Sequence, residues 1–205
     1  MTRDKDILQP DLWTPRPVAE TIAVYADWAK TYDSDVTERG YRTPDRLAAA
    51  VAKLVPPETT ILDFGCGTGI GGAALRRAGF EQIHGTDITP KMLERAAASG
   101  LYAETWLSTP DDMGFNAGAY QAIVAVGVIS LGAAPPETLA PLLGKLPKGG
   151  LLALSFNDPT IADPSYQAAL DAAVADGQFE IVLREHGPHL DDVGMGSDII
   201  VIRRL

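Results

Sequence analysis

The stretch Ile61-Leu62-Asp63-Phe64-Gly65-Cys66-Gly67-Thr68-Gly69 constrains the fold of this chain more than any other. A short apolar run ends at a carboxylate and passes directly into glycines at alternate positions. Beyond it, Gly72-Ala73-Ala74-Leu75-Arg76-Arg77-Ala78-Gly79 reads as a helix closed by a glycine. Strand, glycine turn and helix in this order form a cradle for a nucleotide-type cofactor. Glycine lets the backbone turn tightly and brings a ligand against atoms that a side chain would cover. Two frames compete in the turn. Gly67-Thr68-Gly69-Ile70-Gly71-Gly72 satisfies the dinucleotide fingerprint. Asp63-Phe64-Gly65-Cys66-Gly67-Thr68-Gly69 instead sets glycines two, four and six residues after an acid. A pyrophosphate wants amide donors and a helix N-terminus, and a nearby carboxylate repels it. A cofactor that carries an ammonium group can pair with Asp63.

The second frame resembles the first motif of class I S-adenosylmethionine-dependent methyltransferases. The resemblance implies that Asp63 pairs with the amino-acid tail of S-adenosyl-L-methionine, while Gly65, Cys66, Gly67 and Gly69 carry the backbone past it. The next strand, over residues 82–88, ends in Asp87, about twenty residues beyond the turn, where an acid accepts hydrogen bonds from both ribose hydroxyls. That position alone does not separate the methyl donor from NAD. The residues after it help: Thr89-Pro90-Lys91-Met92-Leu93 reads as a helix entered through a threonine cap with proline at its first position. The order of acid, hydrophobic residue, Ser/Thr and Met-Leu is similar to that family, which implies that Ile88 and Met92 touch the adenosine. The apolar run 120–129 reads as a parallel strand covered on both faces. It resembles the family's fourth strand, whose end, near Val126, lies beside the transferable methyl.

Residues 136–146 read as a helix, and Leu146-Pro147-Lys148-Gly149-Gly150 as the turn before a fifth strand at 151–156. A helix at 165–176 and apolar runs at 179–184 and 198–203 complete the pattern. The expected fold is α/β: a doubly wound, mostly parallel, seven-stranded Rossmann-like sheet with an antiparallel last strand. Residues 1–44 would form an N-terminal arm and helical lid, and 45–205 the core domain.

The lid rests on a closer resemblance. Tyr25-Ala26-Asp27-Trp28-Ala29-Lys30-Thr31-Tyr32-Asp33, with Tyr41 and Pro44 beyond, is similar to the segment ahead of the core in the Williams–Beuren-region methyltransferase-like family. This implies that Tyr25, Trp28 and Tyr32 close over the cofactor; packing of an N-terminal helix onto the sheet is the alternative. The family's adenine-reading acid has no clear counterpart. Its position falls near Thr109, so Asp111 or a backbone amide is expected to read the adenine, or the acidic turn is simply solvated.

With 205 residues the chain has room for one domain and a full core. Acidic residues outnumber basic ones by 27 to 17, a net charge of -10, and the basic residues form no stripe. Nucleic-acid binding needs phosphate neutralisation, so a small-molecule acceptor is favoured over nucleic acid. A single cysteine excludes an internal disulfide and fits a reducing, cytoplasmic setting. No run is apolar enough for export or membrane insertion, and residues 1–17 read as a loosely ordered arm. His186 and His189, with Asp191 and Asp192, sit in a glycine-proline loop with no helical face to converge them, so no metal is expected. Either histidine, in a loop on the ligand side with 130–136 and 157–166, could serve as a general base. The function expected is methyl transfer from S-adenosylmethionine to an oxygen or nitrogen of a small acceptor. A catalytically silent module for the same cofactor and an NAD(P)-dependent oxidoreductase are the alternatives.

Overall fold

The computed structural model describes residues 10–205. Residues 1–9 of the expected arm lie outside that part; Pro10–Trp13 form a 3-10 turn. Three helices precede the sheet: α1 (Val18–Trp28), α2 (Tyr32–Glu38) and α3 (Thr43–Ala52). Then β1 (Ile61–Phe64), α4 (Ile70–Arg77), β2 (Ile83–Asp87), α5 (Pro90–Ala98) and β3 (Glu104–Leu107) alternate. β4 (Ala122–Ala125), α6 (Leu139–Gly144), β5 (Leu151–Asn157), α7 (Asp158–Ala162) and α8 (Pro164–Val174) come next, before a closing pair, β6 (Phe179–Leu190) and β7 (Met195–Arg204).

The seven strands form one sheet in the order β3-β2-β1-β4-β5-β7-β6. β1 to β5 are parallel, and β7 runs antiparallel between β5 and β6. Side chains alternate between two faces along each strand, and both faces are covered, which is why the central strands are mostly apolar. Leu62, Ile123, Leu152 and Leu154 point to the layer of α6 and α8, where Leu142 and Leu170 are fully buried. Ile61, Val124, Ala153 and Val201 point to the layer of α3 and α4, against Leu47, Val51 and Leu75. Each such buried leucine or isoleucine contributes about 1.5–3 kcal/mol. α3 starts at Thr43, two residues ahead of position 45, and packs on the sheet.

Two strands depart from expectation for local reasons. β4 stops at Ala125 because the chain turns at Gly127, whose φ of 68° only glycine adopts without strain. β6 does not stop at Arg184: the expected loop carrying His186 and His189 is strand as far as Leu190. Gly187 and Pro188 read as turn signals, yet β6 is the sheet's edge, where proline gives up no ladder bond. The turn to β7 is a 3-10 segment, Asp191–Val193, closed by Gly194 at φ 63°. The expected loop 157–166 is likewise helical, in α7 and α8.

Candidate active site

Two adjoining cavities open at the carboxyl edge of the parallel strands, where ligands of open α/β sheets bind. The larger, about 340 Å³, is lined by the ends of β1, β2 and β4 and roofed by α1 and the start of α2. That size lies at the lower end for small-molecule sites. Asp87, the last residue of β2, sits on its wall, and the carboxylate is fixed from behind. Oδ2 accepts the Gly67 N–H at 2.8 Å and Oδ1 accepts the Thr89 N–H at 2.7 Å. Burial raises its pKa against the lowering pull of these amides. Each oxygen keeps lone-pair capacity toward the cavity, the arrangement that neighbouring ribose hydroxyls require. Gly67 stands opposite at φ 55°, and a Cβ added there would meet no protein atom within 4 Å, so the glycine leaves open space beside Asp87. From the roof, Thr21 Oγ1 is buried with no hydrogen-bond partner among the described residues. A ligand hydroxyl or ring nitrogen would satisfy it.

Asp63 occupies a different place. Its side chain is 1% exposed and lies behind the glycine turn, where Oδ2 accepts the Tyr102 hydroxyl proton at 2.7 Å. That hydroxyl in turn accepts the Gly72 N–H at 3.2 Å. A Cβ on Gly72 or Gly85 would collide with the Tyr102 ring. Burial pushes the Asp63 carboxyl up to about 7, with the Tyr102 hydroxyl pulling it down and Asp87 adding repulsion. Gly69 caps α4 and also faces Tyr102, so of the dinucleotide frame's glycines Gly67 lies on the cavity wall while Gly69 and Gly72 do not. Cys66 is buried beside Gly85, and burial drives its thiol well above the ordinary range. It fills space; it is not a nucleophile.

The smaller cavity, about 60 Å³, shares Tyr25, Tyr32 and Gly127 with the larger one and extends toward β5 and β6. Aromatic rings build its lid side: Trp28 meets Tyr32 edge-on at 4.7 Å and stacks on Tyr25 at 6.1 Å. Trp28 Nε1 donates to Asp35 at 2.8 Å, which sets the indole. α2 is tied to the turn and to α5 through Asp33, which accepts from Thr68 Oγ1 and lies 3.6 Å from Arg95. The sheet side carries His189, 8% exposed, with its ring edge-on to Tyr41. Behind it runs a chain of hydrogen bonds. Arg46 donates to Ser197 Oγ at 3.1 Å, Ser197 lies 2.8 Å from Thr43 Oγ1, and Thr43 lies 2.7 Å from His189 Nδ1. Ser197 Oγ has two lone pairs, so accepting from Arg46 leaves the Thr43 hydroxyl able to donate either to Ser197 or to His189 Nδ1. Burial, with Asp158 opposing and Arg46 adding to it, holds His189 down at about 4. The ring is therefore neutral at pH 7, with one nitrogen protonated and the other an acceptor. His186, its neighbour in the sequence, pairs with Asp198 at 2.9 Å and lines neither cavity. Among the described residues no group of His, Cys, Asp and Glu is arranged to hold a metal, and no helix is long and apolar enough to cross a membrane.

A family model described as a methyltransferase domain matches residues 36–176. The chain belongs to the methyltransferase domain family. It is 35% identical over 162 residues to Methyltransferase-like protein 27 of Homo sapiens, which covers 77% of this chain and 65% of that protein. It is 37% identical over 101 residues to the ribosomal protein L11 methyltransferase of Edwardsiella ictaluri, covering 47% and 33%. The chain thus matches less than two thirds of the length of either relative. A TehB-like SAM-dependent methyltransferase from Corynebacterium glutamicum superposes with a TM-score of 0.63 at 19% identity, covering 89% and 99%, a likeness of fold.

Tyr25, Tyr32, Gly65, Gly67, Asp87, Ile88, Met92 and Val126 line the larger cavity. Trp28 faces the smaller one. Asp63, Cys66 and Gly69 stand behind the turn. Asp111 is exposed on its loop and does not reach the wall; Ser108 and Thr109 do. Sequence reasoning passed over Tyr102, Thr21 and the role of Asp33. Tyr102 and Asp33 act through partners distant in the chain, and none of the three belongs to a local motif.

Proposed function

We propose that this chain transfers a methyl group from S-adenosyl-L-methionine to a small-molecule acceptor, with the donor in the larger cavity and the acceptor in the smaller. The observation that carries the reading is the Asp87 carboxylate, fixed by two backbone amides on the wall of a cavity of about 340 Å³. That volume suits a nucleoside bearing an amino-acid tail and is small for a dinucleotide. Ile88 and Met92 flank the adenosine, and Ser108 and Thr109 close the adenine end. Asp63 acts through Tyr102 and the first turn of α4, holding the loop that meets the donor's tail. Of the expected N-terminal segment, the described residues 10–44 serve as the lid.

The donor, when bound, supplies an electrophilic sulfonium methyl. The protein then has to align the acceptor and keep water out, which is worth about 7–11 kcal/mol in favourable cases. Tyr25 and Tyr32, shared by both cavities, do both, with Trp28 packed against them on the acceptor side. A ribosomal protein methyltransferase among the relatives raises a protein acceptor as a second reading. The narrowness of the second cavity favours a small free molecule, and the net charge of -10 disfavours nucleic acid. Calorimetric titration tests the donor assignment. S-adenosylhomocysteine and S-adenosylmethionine should bind and NAD should not, and Asp87→Asn should weaken both by about tenfold to a hundredfold. NAD binding, or indifference to Asp87→Asn, would refute it.

A further inference from the structure

Among the described residues, the smaller cavity is lined by hydrogen-bond donors and by no carboxylate. Tyr25, Tyr32 and Tyr41 reach it with hydroxyls that have no hydrogen-bond partner among the described residues. Ser155 Oγ accepts the Gly127 N–H at 2.9 Å and keeps its own proton to give. Asn157 uses its amide oxygen on Thr160 N and Oγ1, at 3.2 and 2.6 Å, which leaves its NH₂ group as a pure donor. These five groups line a space of about 60 Å³, room for about four to six water-sized groups. Arg16 and Arg46 lie close enough to act electrostatically on Tyr25 and His189. Burial keeps the Tyr25 hydroxyl protonated up to about 12, so it too enters as a neutral donor.

A cavity so furnished matches a ligand that accepts hydrogen bonds. An ammonium would find no carboxylate on the wall to neutralise it, whereas Arg16 and Arg46 act on the lining residues with positive charge. A carboxylate needs no base in the cavity, because it is ionised before it arrives. Leu131 and Leu190 leave the remainder of the wall apolar.

We propose that the smaller cavity is the acceptor site and takes a short carboxylic acid as its anion, yielding the methyl ester. The inference rests on the assignment of the larger cavity to the methyl donor. A carboxylate oxygen gives its electron pair to the methyl carbon as the carbon–sulfur pair withdraws onto sulfur. The products are a neutral ester and a thioether, and no proton is released. Transfer to an ammonium acceptor would release one.

Propanoate and propylamine, equal in size and opposite in charge, are the probes. Calorimetry with the protein saturated in S-adenosylhomocysteine should show propanoate binding and no propylamine binding. Tyr41→Phe, which removes a hydroxyl that has no hydrogen-bond partner among the described residues, should weaken propanoate about tenfold and leave S-adenosylhomocysteine affinity unchanged. With S-adenosylmethionine, propanoate turnover should form S-adenosylhomocysteine without acidifying a weakly buffered solution. Binding of propylamine instead, binding of neither probe, or an unchanged propanoate affinity in Tyr41→Phe overturns the inference and leaves the donor site standing. Failure of S-adenosylhomocysteine to bind at all removes the donor assignment, and this inference falls with it.

Discussion

Burial disfavours charge on both Asp63 and His189, and because one is an acid and the other a base they are pushed opposite ways. Asp63 keeps its proton up to about pH 7 in the folded chain but loses it near 3.8 when unfolded. Its contribution to stability is therefore greatest at low pH and is lost as pH rises through that window. His189 stays neutral down to about pH 4 when folded and charges near 6.5 when unfolded. Its contribution is present above 6.5 and is lost as pH falls toward 4. The two effects are each about 3–4 kcal/mol and nearly offset one another over the same range. Single substitutions expose them. Denaturant midpoints measured at about pH 5 and about pH 7 should show His189→Gln gaining stability at the lower pH relative to the parent, and Asp63→Asn losing it. Slopes of the same sign in both variants would mean that one of these groups is not buried as described.

At the level of elements, the lid is held by few contacts. α2 meets the glycine turn and α5 through Asp33, and an exposed pair such as Asp33–Arg95 contributes less than about 1 kcal/mol. Asp33→Ala should barely move the global unfolding midpoint while speeding hydrogen exchange over residues 18–38. Unchanged exchange there would show that packing of the aromatic rings, not Asp33, holds the lid. The elements that the sequence made legible are those whose pattern is local. β1, β4 and β5 announce themselves as largely apolar runs because both faces of the sheet are covered, and the glycine turn does so by its spacing. The far half of β6 was not legible, since Gly187-Pro188 signals a turn anywhere but on an edge strand. Tyr102 and His189 were hidden, in their actual roles, for another reason. Tyr102 meets a partner 39 positions away and His189 one 146 positions away, and no periodicity encodes either contact.

For the molecule as a whole, the glycine turn, the β2 acid and the lid aromatics are brought to one edge of the sheet by the parallel order of β1, β2, β4 and β5. Their family and their fold could be read ahead of the structure. The division of the site into two cavities could not, because it depends on the turn at Gly127 and on where the lid comes down. That division is the central claim, and a crystal structure with S-adenosylhomocysteine tests it most directly. The ribose hydroxyls should rest on Asp87, the adenine beside Met92, and the sulfur at the boundary formed by Tyr25 and Gly127, with the smaller cavity left free for the acceptor. A nucleoside lodged against β5 and His189, or a homocysteine tail filling the smaller cavity, would contradict it.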